Sequence, residues 1–336
     1  MTATEVDAKV RQRVAELAAK VLDGELLTRE EAAWLFELDP AGSIHDVLYW
    51  ANQIRTRYKG NNIRLCSIVN IKAGGCPEDC KFCAQSAHSK APSPRYGVID
   101  NVTLKKAADQ ARTNNVRALG LVAAWPEVKE GPVLDELCEK FRLLSLEYGV
   151  EPHASLGMIK NRKIAEKLKA AGVTCYNHNL ETAPSFFPRI CTTHTYADRV
   201  ETIRHLKAAG IAVCAGGIIG LGETRRDRCE LALALRELGA DVVPINILNP
   251  IPGTPLEGTA PPTPIEALHT IACFRFVLPD REITIAGGRA VNLRDLQSWI
   301  FMAGASGLMV GNYLTTPNRP VELDLQMIRD AGLSPV

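Results

Sequence analysis

Three cysteines pose the chemical question. They stand in Cys76-Pro-Glu-Asp-Cys80-Lys-Phe-Cys83, after a short apolar run and in a loop opened by Gly74-Gly75. Three thiolates at C-x3-C-x2-C spacing can wrap one face of a cubane iron–sulfur cluster. The fourth iron is then left without a protein ligand, and an open position is what a metal centre needs to bind a small molecule. A structural zinc site would need a fourth Cys or His at comparable spacing, and only His88, five residues on, competes. A loop of cysteines holding no metal is the plainest alternative.

The surrounding pattern says what must position that loop. Short apolar runs cover 63–69, 116–125, 149–156, 173–177, 211–220, 241–248, 282–286 and 307–311. Between them lie amphipathic segments. One is Thr195–Ala209, with Val200, Ile203 and Leu206 on one face and Gly210 past its end; another is Thr224–Leu238, opened by Thr224-x-x-Asp227. Strands alternating with helices at this pitch make βαβ units and a parallel sheet. Eight units predict an α/β protein with a (β/α)8 TIM-type barrel, a doubly wound open sheet being the alternative that pattern alone leaves open. The expected organisation is an N-terminal helical extension over 1–60, the barrel over 61–320 and a C-terminal tail over 321–336. The extension is polar and helical from Met1 to Arg13, and Thr28-Arg29-Glu30-Glu31 reads as a capping box. The proline-rich stretches 249–255 and 259–264 read as one long loop after the sixth strand, where a barrel builds its active site.

Composition narrows the class. The 336 residues are 46 % hydrophobic and 23 % charged, with a formal net charge of +1. The basic residues are scattered, which gives no footprint for nucleic acid. No apolar run approaches membrane-spanning length and no signal-peptide core is present, so a cytoplasmic location is the expectation. Ten cysteines are then expected to be reduced, as metal ligands, catalytic groups or small core residues. Cys138, Cys229 and Cys273 fall on predicted helices and read as core.

The cluster motif resembles that of the radical S-adenosylmethionine (SAM) superfamily. Further motifs resemble the biotin synthase family. These are Gly75–Ser86, Tyr176-Asn-His-Asn-Leu-Glu-Thr182, Val213–Thr224, Val243-Pro-Ile-Asn246, Ala286-Gly-Gly-Arg289 and Leu314-Thr-Thr-Pro317, in the family's order. The resemblance implies a [4Fe–4S] cluster on Cys76, Cys80 and Cys83 whose open iron chelates SAM. It implies Phe82 near the adenine, Asn179 and Glu181 on the ribose, and Arg199 on the SAM carboxylate. It implies Asn177 and Asn246 on the ureido ring of dethiobiotin, an amide offering the donor and acceptor that the ring also has. Thr315 and Thr316 are implied on the substrate's carboxylate or ring polar groups.

Biotin synthases also carry an auxiliary cluster deep in the barrel, whose sulfide is thought to enter the product. The familiar version is [2Fe–2S], held by three cysteines and an arginine. Here Cys214 and Arg289 match, whereas Gly120 and His153 stand where the other two cysteines belong. The expectation is therefore an auxiliary cluster, [2Fe–2S] or larger, on Cys66, Cys191, Cys214 and Arg289, with His153 and Cys175 in reserve. The resemblance implies hydrogen abstraction at C9 and then C6 of dethiobiotin, using two SAM. A flavodoxin or ferredoxin type electron donor, iron–sulfur assembly proteins and a homodimer are implied as partners. Two alternatives stand beside this reading. One is a biotin-synthase-like radical SAM enzyme without sulfur insertion. The other is a non-enzymatic iron–sulfur or zinc module.

Overall fold

The computed structural model describes residues 3–336; Met1 and Thr2, at the head of the predicted N-terminal helix, lie outside the described residues. The barrel is made by β1 (Asn62–Lys72), β2 (Ala118–Ala123), β3 (Glu151–Ser155), β4 (Cys175–Asn177), β5 (Ala212–Cys214), β6 (Gly217–Ile219), β7 (Val242–Ile247), β8 (Glu282–Ile285) and β9 (Gly307–Met309). All pair in parallel, and β9 pairs with β1 through Leu65↔Leu308, which closes the ring and rules out an open sheet. A tenth, two-residue strand, β10 (Ser334–Pro335), pairs with the start of β1 outside the ring, so the C-terminus is hydrogen-bonded to the barrel floor.

The fifth predicted strand, 211–220, is in fact two pieces, β5 and β6, broken at Ala215-Gly216. The cause is local. Pro244 of β7 has no N–H to give to the ladder, and the backbone of Gly216 lies so close to it that a Cβ there would stand 1.9 Å from the Pro244 carbonyl oxygen. The break frees the Gly216 backbone for the site: its N–H donates to Asn179 Oδ1 (3.1 Å), and its carbonyl accepts from Leu180 and Glu181. β5 and β6 thus share one stave, and the barrel has the expected eight.

Helices fall where the periodicity predicts them. Thr195 caps the helix Tyr196–Ala208 in a capping box with Asp198, and Thr224 caps Arg225–Glu237 with Asp227. Thr28 and Glu31 form the predicted box at the start of Arg29–Glu37. Three helices, Ala3–Leu22, Arg29–Glu37 and Pro40–Lys59, form the N-terminal extension. They do not stand apart. Val14, Leu17, Phe36, Val47 and Ile54 join the same buried core as the helix Pro264–Val277 outside the barrel, and the Phe36 ring meets Phe274 edge-on at 5.9 Å. No described helix is long and apolar enough to cross a membrane.

Because extension and barrel share one core, Phe36→Ala is expected to destabilise the whole protein by about 3–5 kcal/mol, the usual cost of deleting a buried ring. Urea unfolding followed by circular dichroism should keep a single transition with a lower midpoint. A separate early transition with the barrel midpoint unchanged would show that the extension folds by itself.

Candidate active site

The three-cysteine loop leaves the C-terminal end of β1. Its backbone folds back on itself, Cys76 N–H donating to Gln85 (3.0 Å) and Ala87 N–H to Cys76 (2.7 Å). A second loop, after β4, clamps it: the Asp79 carboxylate accepts from the backbone N–H of Thr192 (2.8 Å) and Thr193 (3.2 Å). Burial opposes ionisation of Asp79, but these donors hold its carboxyl well below the ordinary range. Cys76, Cys80 and Cys83 line one cleft of about 240 Å³. His88, the rival zinc ligand, is exposed and turned to the Pro77 carbonyl (3.1 Å).

The opposite wall of this cleft carries the other residues expected to hold SAM. Asn179, Glu181 and Arg199 line it, with His178, His194 and Trp125. Glu181 sits at φ +70°, in the left-handed region that a residue with a side chain occupies at a cost. Its carbonyl is fixed there by Ile218 N–H (2.8 Å), so the motifs 176–182 and 213–224 are one structural unit. Arg199 donates to the Asn179 carbonyl (2.7 Å) and to Glu181 Oε1 (3.5 Å), while Glu181 Oε2 is buried with no partner. Burial pushes the Glu181 carboxyl above its usual range, Arg199 opposing. His178 Nε2 is likewise buried and unpartnered, and burial holds its ring neutral. Orphaned polar atoms in the cleft that the three thiols also line fit a polar ligand chelated to a cluster. The residues present therefore suit a [4Fe–4S] cluster with SAM.

A second cavity, of about 270 Å³, lies beside the first. Phe82, Asn246, Tyr313, Thr315 and Thr316 line it. Phe82, Cys83, Gln85 and Leu314 belong to both cavities, so they are separated by one layer of side chains. The Asn246 amide already serves the backbone, accepting from Gly287 N–H (2.8 Å) and donating to the Gly217 carbonyl (3.3 Å).

A third space lies inside the barrel below both. Cys66 of β1, Cys175 of β4, Cys214 of β5 and His153 of β3 line it, together with Arg64, Gly120, Asn177 and Thr284. It shares Asn177 with the first cavity and Ile68 with the second. Burial pushes the Cys66 thiol up to about 12, while a hydrogen bond from Cys214 draws Cys175 down. At its floor Glu151 accepts from Arg64 (3.0 Å) and meets His153 Nε2 (3.2 Å); with His153 the leading cause, its carboxyl is held down to about 2.

Two expected members of the auxiliary site are not in this space. Cys191 lies at the first cluster, its Sγ 3.8 Å from Cys80 Sγ and 3.3 Å from His194 Nδ1. The loop after β4 runs over the barrel mouth and carries Cys191 with it. Arg289 is fully buried outside the chamber, donating to Asp324 (2.8 Å) and Gln297 (2.7 Å). The reason is the turn at Gly287-Gly288. Gly288 adopts φ +77° against the Ile247 carbonyl, and the chain leaves the strand to begin a new helix at Arg289. The inward arginine is instead Arg64, two residues before Cys66 on the same strand; strand alternation places both on one face, a signal the sequence held. Cys138, Cys229 and Cys273 are buried core cysteines as expected.

Comparisons agree with this architecture. Residues 70–235 match the Radical SAM superfamily model, and residues 244–334 match the Biotin and Thiamin Synthesis associated domain. The chain is similar in fold to methylornithine synthase (TM-score 0.81, 19 % identity, 95 % of this chain and 97 % of that one). It is also similar to the FeFe-hydrogenase maturase of Carboxydothermus hydrogenoformans (TM-score 0.79, 16 % identity, 99 % and 81 %). Sequence similarity is far higher to the biotin synthases of Geotalea uraniireducens (47 % identity over 95 % of this chain and 96 % of the relative) and Geobacter sulfurreducens (48 %, 95 % and 96 %). A barrel with the three-cysteine loop at its mouth and three thiols within, matched along nearly its whole length by such relatives, belongs to the biotin synthase family of radical SAM enzymes.

Proposed function

We propose that this chain converts dethiobiotin to biotin, inserting a sulfur atom drawn from an auxiliary iron–sulfur cluster in the barrel chamber. The observation that carries the reading is the meeting of three spaces: a SAM-type cleft, a substrate-sized cavity and a thiol-lined chamber, each sharing wall residues with the other two. When bound, the [4Fe–4S] cluster with SAM supplies a 5′-deoxyadenosyl radical, and the auxiliary cluster supplies sulfur.

The protein's share is to hold and to exclude. Cys76, Cys80 and Cys83 would ligate the first cluster. Glu181 Oε2 and Asn179 would take the ribose hydroxyls, and Arg199 the SAM carboxylate, a charge-assisted contact in a cleft with little water to compete. Phe82, on the shared wall, would separate adenosine from substrate. Asn177, between cleft and chamber, and Asn246 would orient the ureido ring, with Thr315 and Thr316 toward the substrate's polar end. The buried Arg289–Asp324 pair is a positioning device for this last segment: Asp324 also forms an ion pair with Arg319 (3.4 Å), and Tyr313 O–H ties the loop to the Ala286 carbonyl (2.8 Å). The thiols in the chamber argue against the alternative of a relative without sulfur insertion.

The partners follow from the chemistry. Each SAM cleaved needs one electron, which a flavodoxin or ferredoxin type donor would deliver. A cluster that loses sulfide needs iron–sulfur assembly proteins to rebuild it. A reducing cytoplasmic setting suits the ten unpaired thiols, and a homodimer is proposed from family resemblance.

Anaerobic reconstitution, iron and sulfide counting and Mössbauer spectra test the reading, with SAM, reductant and dethiobiotin supplied. The expected result is two distinct clusters, with biotin formed as one of them decays. SAM cleavage without biotin, from a protein holding one cluster, would refute it. Glu181→Gln should weaken SAM binding roughly ten- to a hundredfold in equilibrium dialysis, the value of one or two hydrogen bonds to a charged group, with cluster iron unchanged. Asp324→Ala should raise the KM for dethiobiotin while leaving SAM affinity unchanged, and lower thermal stability by about 3–5 kcal/mol, because Arg289 is left charged and unpaired.

A further inference from the structure

The auxiliary ligand set expected from the sequence does not assemble, yet the chamber offers another. Cys66, Cys175 and Cys214 come from three different staves and face the same space. Cys214 is the Cα partner of Asn177 in the β4–β5 ladder, and Cys175, two residues before Asn177, lies on the same face of β4. His153 is the Cα partner of Cys175 in the β3–β4 ladder, so the two side chains stand beside each other on the inner face.

His153 shows a further mark of a ligand. Its Nε2 is engaged by the Glu151 carboxylate at 3.2 Å, and Glu151 is itself held by Arg64 and by the Thr174 hydroxyl (2.9 Å). A carboxylate on one ring nitrogen fixes the orientation and tautomer of an imidazole whose other nitrogen binds metal. Nδ1 is the nitrogen left for the chamber. Gly120, on the neighbouring strand, completes the case: a Cβ there would stand 3.1 Å from Ile68 Cγ2 and 4.0 Å from His153 Cβ. A cysteine at 120 would crowd Ile68, whereas glycine leaves that space to the imidazole.

Among the described residues, the group whose ligand atoms all converge within 4.8 Å, as one ion requires, is Cys80, Cys191 and His194 at the barrel mouth. The chamber ligands are more widely spread, which suits a polynuclear cluster better than one zinc. Three thiolates add negative charge to such a cluster, and Arg64 lines the same chamber as the compensating cation.

We propose that the auxiliary cluster is held by the thiolates of Cys66, Cys175 and Cys214 and by Nδ1 of His153, oriented by Glu151. Cys191 and Arg289 have no part in it. The assignment rests on the reading above that an auxiliary cluster exists.

The test is spectroscopic and independent of turnover. The full chain carrying Cys76→Ala, Cys80→Ala and Cys83→Ala is reconstituted anaerobically, so that any remaining cluster iron belongs to the chamber. The reduced protein should show strong nitrogen hyperfine coupling in pulsed EPR, the signature of a directly bound imidazole. His153→Cys in this background should keep the iron and lose that coupling, which separates ligand exchange from misfolding. Cys66→Ser, Cys175→Ser or Cys214→Ser should each lose at least half of the iron; Cys191→Ser should retain both iron and coupling. Loss of iron in Cys191→Ser with retention in Cys66→Ser and Cys175→Ser would overturn the assignment, as would a cluster without nitrogen coupling. No iron in the background protein, while the parent chain binds only one cluster, would remove the auxiliary cluster itself and with it the sulfur-donor reading.

Discussion

The β1–β9 ladder is the contact on which the site depends. It closes the barrel, and closure decides which side chains can meet. In an open sheet Cys66 at one edge and Cys214 four staves away would face different surroundings. In a ring every inward position looks onto the same axis. β1 also carries the three-cysteine loop on its C-terminal end. One strand therefore fixes the depth of the inner thiols relative to the outer ones. The C-terminal β10 pairs with the start of the same strand, so it is held at both edges near its base.

Given that frame, the chemistry is one of graded polarity. At the mouth, the clamp between Asp79 and the 192–193 backbone ties the cluster loop to the loop after β4. Below it, Glu181 and His178 keep unsatisfied atoms in a buried wall, a cost that makes sense where a polar ligand repays it. Deeper still the lining turns to thiols, with the charged network of Arg64, Glu151 and His153 confined to the floor. A radical formed at the mouth would thus face a path of low water access toward the proposed sulfur source. The strain at Glu181 and the break at Gly216 are two sides of one device, since the Gly216 backbone groups that leave the ladder between β5 and β6 fix the residues expected on the ribose.

The barrel and its mouth were legible because they rest on local signals. Alternating apolar and amphipathic runs predict the staves, Thr-x-x-Asp patterns predict the caps at Thr195 and Thr224, and C-x3-C-x2-C spacing needs only one loop. The auxiliary site was only half legible, because it joins residues from strands far apart in sequence and depends on which face each presents. The sequence points to Cys66 and Cys214 and holds Cys175 and His153 in reserve; in the structure all four line the chamber. Arg289 was matched by motif, but a Gly-Gly turn takes it out of the barrel wall, which no spacing reveals. Cys191 sits in a loop whose course across the mouth is set by tertiary contacts with Asp79. The strand break at Gly216 came from Pro244, 28 residues further along the chain on a neighbouring stave, and so could not be read from the run 211–220 itself.

The central claim is that a protein-bound cluster beside the substrate cavity gives up its sulfur. It is tested most directly by reconstituting the chain with heavy-isotope sulfide, removing free sulfide, and running a single turnover with SAM, reductant and dethiobiotin. Mass spectrometry of the product is predicted to find the heavy isotope in biotin, in amounts no greater than the auxiliary cluster lost. Biotin carrying only natural-abundance sulfur, with the labelled clusters intact, would contradict the account.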